Sequence, residues 1–438
     1  MTVTQLVEAS VPHVSPIAPQ TLAETGLSEH LITELILKSL HRSTELTGTE
    51  IAKRMGLAFP ILESSLDLLK AQRQCEITGG PSLGGSSFRY RLTDAGHKQA
   101  SAALDRNLYS GVAPVPIEQY QRYLREFVEL VPRKVTSEEV HAAYSGIVVS
   151  DRVLDELGPA VNAGQSIFIY GPPGNGKTMM AGLVRTLLTG TIAIPHAIEV
   201  GGNIIRFFDS TLHEPVSWAD IDPQSGERYD RRWIQCRRPM VTVGGELTLE
   251  SLALSYNPRS GIYHAPVQAL ANGGVLLIDD FGRQRCSPRD LLNWWMIPLE
   301  SHVESLVLQS GEKLEMPFLA LVIFSTNLKP SELVDEAFLR RIQYKIYAEG
   351  PKPEDFIRIF QGCCTERGIP FDRKLVEDLL SGFFRERKIE LRACHARDLI
   401  DQALSLASYR GQPRELTAEL LETACFSYFI DEHDEARK

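Results

Sequence analysis

Residues 166–187 read SIFIYGPPGNGKTMMAGLVRTL: an apolar run rich in β-branched and aromatic residues, a loop of three glycines and two prolines, then a lysine, a threonine and a helical pattern. No other stretch restricts the fold as much. An apolar run without polar alternation suits a strand covered on both faces, as in parallel sheets whose crossovers are helices. The glycines free consecutive backbone N–H groups to point one way, and the helix that follows brings its positive end to the same place. The pattern predicts an α/β unit with an anion cradle at the carboxyl edge of its sheet.

From Gly171 to Thr178 the spacing satisfies G-x-x-x-x-G-K-[ST], in the strand–loop–helix context that gives this motif its meaning. Gly171, Pro172, Pro173, Gly174, Asn175, Gly176, Lys177, Thr178 and Met179 are the candidate nucleotide-binding residues. Lys177 is expected to reach the β- and γ-phosphates, and the Thr178 hydroxyl to take one position on Mg²⁺. A second acidic site should follow on another buried strand. GGVLLIDDFGR supplies it, with Asp279 and Asp280 emerging where the apolar run ends. Asp279 is the second Mg²⁺ candidate, and Asp280 is expected to polarise the attacking water.

On these two motifs the chain from about 147 to 430 resembles the AAA+ ATPases, whose preferred loop composition is that of GPPGNGKT. A guanine-reading N-K-x-D is absent, since TNLKP does not satisfy it. Most members carry Glu where this chain has Asp280, which is shorter by a methylene. The resemblance implies that Asn327, ending FLALVIFSTN, holds the lytic water between the two sites. It implies that Arg341, or secondarily Arg340, is an arginine finger offered to a neighbouring subunit; Ile342 follows where the family usually has an aromatic. Arg397 in RACHARDLIDQALSLA would be the lid arginine that touches the γ-phosphate. ATP, Mg²⁺ and a homo-oligomeric ring, a hexamer, are implied with them.

Upstream, SEHLITELILKSLHR, TGTEIAKRMGL and FPILESSLDLLKAQR carry helical periodicity, with Ser28 capping the first and Gly56 ending the second. A strand, a glycine-rich turn, a strand and a Thr93-capped helix follow, and the order over about 28–104 resembles a winged helix. Its third helix sets Glu63 and Asp67 against Lys70 and Arg73, so it lacks the positive excess that phosphate contacts need. The expected organisation is a disordered segment 1–27, a winged-helix domain 28–106, a linker and helix 107–146, a nucleotide-binding core 147–348 and a helical lid 349–438. The fold class is α/β: a P-loop AAA+ core with a β-hairpin insertion and a helical lid, preceded by the winged-helix domain.

Lys177 and Asp279 are 102 positions apart, more than a minimal core requires, and the extra chain lies between 190 and 257. There Gly201-Gly202 predicts a hairpin turn. Arg231, Arg232, Arg237 and Arg238 form a dense basic cluster, either a solvated face or a contact for an acidic partner, a neighbouring subunit or nucleic acid. Tyr263 either grips an extended substrate at a ring's channel or packs against the hairpin. His213 and His264 lack the spacing of metal ligands and read as hydrogen-bonded histidines.

The formal charge of −10 gives nucleic acid or an anionic membrane no broad basic face. No apolar run spans a bilayer, and the first twenty residues do not read as a secretion signal. Seven scattered cysteines without C-x-x-C pairs predict reduced thiols, no zinc clip and a cytoplasmic setting. The chain resembles bacterial chaperone-like AAA+ ATPases. A protein substrate or adaptor is the expected partner, with nucleic acid the less favoured alternative and no membrane.

Overall fold

The computed structural model describes residues 14–79, 85–131, 134–217, 229–333 and 339–429. The chain divides into two compact units, the first built from 1–133, 188–276 and 290–321, the second from 134–187, 277–289 and 322–438.

In the first unit, helices Glu29–His41, Gly48–Met55 and Phe59–Ala71 form where the apolar periodicity places them. Ser28 Oγ accepts from Leu31 N at 3.2 Å, and Thr47 and Glu50 close a capping box around the second helix. Strands Leu46–Thr47, Arg89–Leu92 and Cys75–Gly79 pair antiparallel in that spatial order, and helix Asp94–Arg106 closes the group. Ile32, Ile36, Ile51, Leu62 and Ala100 are sealed in its core. The expected glycine-rich turn lies partly outside the described residues, at 80–84, as do residues 1–13 of the N-terminal segment. Val14 is buried, and Leu22–Thr25 forms a helical turn capped by Thr21.

The rest of this unit surrounds helix Ile117–Leu130, whose Tyr120, Tyr123, Leu124 and Phe127 are buried. The hairpin expected at Gly201-Gly202 joins strands Ala197–Val200 and Asn203–Arg206 in a five-stranded sheet, and Val115–Pro116 is its edge strand. Two further antiparallel pairs are Thr191–Pro195 with Trp233–Arg237, and Val303–Val307 with Lys313–Pro317.

Two alternatives for the insertion resolve here. The arginine cluster is not one solvated face, because Arg232 and Arg238 are buried while Arg231 and Arg237 are exposed. Arg232 binds Asp230 through Nε and Nη2 and donates to Thr25 O, Pro114 O and Gln119 Oε1. Arg238 donates to Thr189 O and Gly273 O and lies 4.4 Å over the Phe127 ring. Arg232 and Arg238 flank strand Trp233–Arg237, and each guanidinium can be buried because acceptors meet its donors. Tyr263 is not displayed for gripping: it is 4% exposed, stacks near Tyr256, and its hydroxyl accepts from Gln309 N at 3.1 Å. His213 uses both ring nitrogens on backbone groups, Asp209 N and Leu270 O.

The second unit is labelled in chain order: α1 Ser137–Tyr144, α2 Asp151–Ala163, β1 Ile167–Tyr170, α3 Lys177–Leu187, β2 Val275–Ile278, β3 Leu321–Thr326, β4 Tyr344–Tyr347, α4 Pro353–Glu366, α5 Arg373–Leu379, α6 Ala393–Tyr409 and α7 Ala418–Tyr428. Its sheet runs β2-β3-β1-β4, and β1 pairs parallel with both β3 and β4. β1, β2 and β3 are buried almost throughout, which explains their unbroken apolar runs. Phe168, Phe281 and Phe324 meet at centroid distances of 5.1–5.9 Å and lock β1, β3 and the turn after β2 together. Helices α4 to α7 share a separate core containing Phe356, Phe360, Leu399, Ile400 and Leu421.

Among the described residues no helix is long and apolar enough to cross a membrane. None of the seven cysteines forms a disulfide.

Candidate nucleotide site

The loop from β1 to α3 depends on backbone conformations that L side chains avoid. Gly171, Gly174 and Gly176 have φ of +145°, +84° and +72°. A Cβ on Gly171 would stand 2.5 Å from Ala348 O, and one on Gly174 would strike Cys394 Sγ. Asn175 is buried, and its Nδ2 donates to Ala348 O at 3.3 Å.

Lys177, the first residue of α3, is 6% exposed. Its Nζ donates to Gly171 O at 3.1 Å, Pro172 O at 2.9 Å and Asn327 Oδ1 at 2.6 Å. Burial lowers its pKa, the carboxylates of Asp280 and Asp279 oppose that shift, and Arg392 adds to it. Asn327 follows β3, and its Nδ2 donates to Asp280 Oδ1 at 3.2 Å. One amide thus joins the lysine of the loop to the second carboxylate of the β2 edge.

Thr178 Oγ1 lies 3.0 Å from both carboxylate oxygens of Asp279. A hydroxyl and a carboxylate side by side form a hard-oxygen donor set suited to Mg²⁺, which keeps most of its shell for water and phosphate. Among the described residues no group of three His, Cys, Asp or Glu could hold a metal by itself.

A cleft of about 740 Å³ opens beside the loop. Gly174, Asn175, Gly176 and Met179 form one wall, Ile147, Val148 and Val149 another, and Ile359, Cys394 and Arg397 a third. Its size and mostly apolar lining suit a nucleotide base and ribose. Met179 is exposed, and Pro173, at the loop tip, does not line the cleft. Arg397 does line it, with Nε donating to Asp398 Oδ1 at 2.9 Å. Arg340 is exposed and Arg341 half-buried on the stretch entering β4, and neither lines the cleft. Residues 334–338 of the same segment lie outside the described residues.

Sequence reasoning overlooked how the start of α6 joins the loop. Cys394 N donates to Gly174 O at 2.8 Å, and Ala393 N to Asn175 Oδ1 at 3.4 Å. In the same turn Arg392 N donates to His395 Nδ1 at 3.2 Å, and the His395 ring contacts Phe384, Tyr428 and Phe429. Burial, then Arg392, holds that imidazole down at about 4, against the pull of Asp398. Tyr144 was also missed; its hydroxyl donates to Met180 O at 2.7 Å and ties α1 to α3.

Residues 352–427 match a family described as "Domain of unknown function (DUF8689)". No curated protein matches the chain. Among solved structures it is similar to NtrX from Brucella abortus, at 16% identity over 73% of this chain and 62% of that one, with a TM-score of 0.41. NtrX from the same organism in complex with ATP gives 16%, 73%, 64% and 0.38. A mutant of RuvB from Thermotoga maritima gives 11% identity over 65% of this chain and 72% of that one, with a TM-score of 0.40. The chain spans less than two thirds of the NtrX chain.

Proposed function

We propose that this chain is a Mg²⁺-dependent ATPase of the AAA+ type. The observation that carries the reading is the continuous contact from Lys177 through Asn327 to Asp280, beside Thr178 on Asp279, next to a cleft of nucleotide size. In this reading the polyphosphate takes the loop amides, and phosphate oxygens replace the oxygens now bound to Lys177. Thr178 and Asp279 would hold Mg²⁺, which neutralises charge on the phosphates when bound. Asp280 accepts the proton of the attacking water, and Asn327 holds that water between Asp280 and the γ-phosphate. Arg397 reaches the same phosphate from α6. Arg341, or else Arg340, acts on a neighbouring copy in a closed ring, a hexamer.

The work done with this energy is remodelling of a protein or complex, with residues 28–106 as a winged-helix adaptor, 107–146 as linker and helix, and 349–438 as lid. Charge supports this over a nucleic-acid loader or regulator: the chain is net acidic, and Lys70 on the third helix is paired with Asp67 at 2.6 Å. Duplex DNA titrated with the full chain at two salt concentrations separates these readings; salt-sensitive micromolar binding favours the loader.

The core test is nucleotide turnover. Lys177→Ala should abolish ATP binding or hydrolysis, while Asp280→Asn should bind ATP and hydrolyse it poorly. A folded wild-type chain without affinity for ATP and Mg²⁺, or normal turnover by Lys177→Ala, refutes the assignment.

A further inference from the structure

Beyond β2 the chain turns sharply around the acidic pair. Asp280 has φ +48°, a left-handed conformation that few residues other than glycine adopt, Asp and Asn among them, and that bonds to the turn favour. Gly282 has φ +105°, and a Cβ there would stand 2.7 Å from Leu333 Cδ2, so the turn has no slack on that side. Phe281 is pinned to β3, its N donating to Ser325 O at 2.7 Å and its O accepting from Thr326 Oγ1 at 2.6 Å. Asp280 O accepts from Arg283 N at 3.0 Å, and one side chain bridges the other polar groups of the turn. Gln284 Nε2 donates to Asp279 O at 2.9 Å and Asp280 O at 3.3 Å, while its Oε1 accepts from Gly282 N at 2.8 Å.

We propose that Gln284 is a positioning residue for hydrolysis, holding the backbone of the acidic pair in the left-handed turn that aims Asp280 at Asn327. The role rests on the ATPase reading above. Gln284 spends both ends of its amide on main-chain groups of the turn, so it acts through the main chain. A primary amide is the one side-chain group that here both donates to the two carbonyls and accepts from the Gly282 amide. Glu would keep only the acceptor and bring negative charge against two carbonyl oxygens; Lys would keep only the donors. Once released, Asp280 returns to an ordinary conformation and its carboxylate leaves Asn327, while the loop 171–179 keeps its own bonds.

The test is steady-state ATP turnover, ATP binding by calorimetry and thermal unfolding of full-length Gln284→Met, Gln284→Glu and Gln284→Lys. Met is expected to lower kcat about 10²-fold, the usual cost of misplacing a reacting group by about an ångström. ATP affinity should stay within about twofold, since uniform binding is untouched. Glu should be at least as impaired as Met, and Lys should recover part of the loss. In an Asp280→Asn background, Gln284→Met should change residual single-turnover hydrolysis by less than about twofold, because the group it positions is gone.

Wild-type kcat in Gln284→Met, a loss confined to ATP affinity, or a full further loss on top of Asp280→Asn overturns the proposal. If Gln284→Met does not fold, Gln284→Glu decides by the same criteria, and loss of folding in both as well makes the role purely structural and overturns it. A wild-type chain that binds ATP without turnover refutes the ATPase reading and this inference with it. An active wild type with an equally active Met variant refutes the inference alone.

Discussion

Acid should loosen the helical part of the second unit through one histidine. His395 is 3% exposed, lodged among Phe384, Tyr428 and Phe429, and accepts a backbone hydrogen bond at Nδ1 that a proton there would abolish. Its value of about 4 lies below the ordinary 6.5. As pH falls the unfolded chain therefore takes up this proton first. Stability from the neutral ring is fully present above 6.5, drains away between 6.5 and 4, and is gone below. Two binding curves with those midpoints give a loss on the order of 2–3 kcal/mol at pH 4.5. Amide exchange read by mass spectrometry over 353–429, in wild type and His395→Phe from pH 7.5 to 4.5, isolates the contribution, because other groups titrate in both proteins. The variant should carry a constant cost for the lost acceptor and show a shallower pH dependence, the gap closing by roughly 2–3 kcal/mol at the acid end. Parallel curves would refute the reasoning.

Arg232→Ala should destabilise the first unit by about 3–5 kcal/mol, because Asp230 would be left buried and unpaired. Denaturant unfolding checks it, and a loss under about 1 kcal/mol would mean water replaces the guanidinium. Mixing Arg341→Ala with Asp280→Asn chains should restore some of the turnover each lacks alone, finger removal costing about 10³-fold or more in related systems. No recovery at any ratio, in mixtures shown to co-assemble, counts against a shared site.

The glycine loop and the acidic strand end are legible in the sequence because chemistry leaves few choices there. Inward amides need the glycines at 171, 174 and 176, and a carboxylate that meets Thr178 must sit at the end of a buried strand, so both motifs carry their geometry with them. Arg232 and Arg238 misled because an alternating strand pattern does not say which face a helix covers; Phe127, which packs under Arg238, is more than a hundred residues away. Tyr263 was ambiguous for a similar reason, its hydroxyl partner lying on Gln309. Gln284 left no signal, since an amide that binds main-chain carbonyls has no preferred partner type. The joint between Gly174 and Cys394 runs from backbone to backbone, so no motif of side chains reveals it.

That joint has a mechanical meaning. α6 is 17 residues long, so it extends about 25 Å from the point where its first amides are stitched to the phosphate loop. Because α6 shares its core with α4, α5 and α7, a tilt of about 10° at that joint would carry the helical group with it and sweep the far tip of α6 through about 4 Å. A ligand that tilted this joint would move the far end of α6 by a distance another molecule could feel.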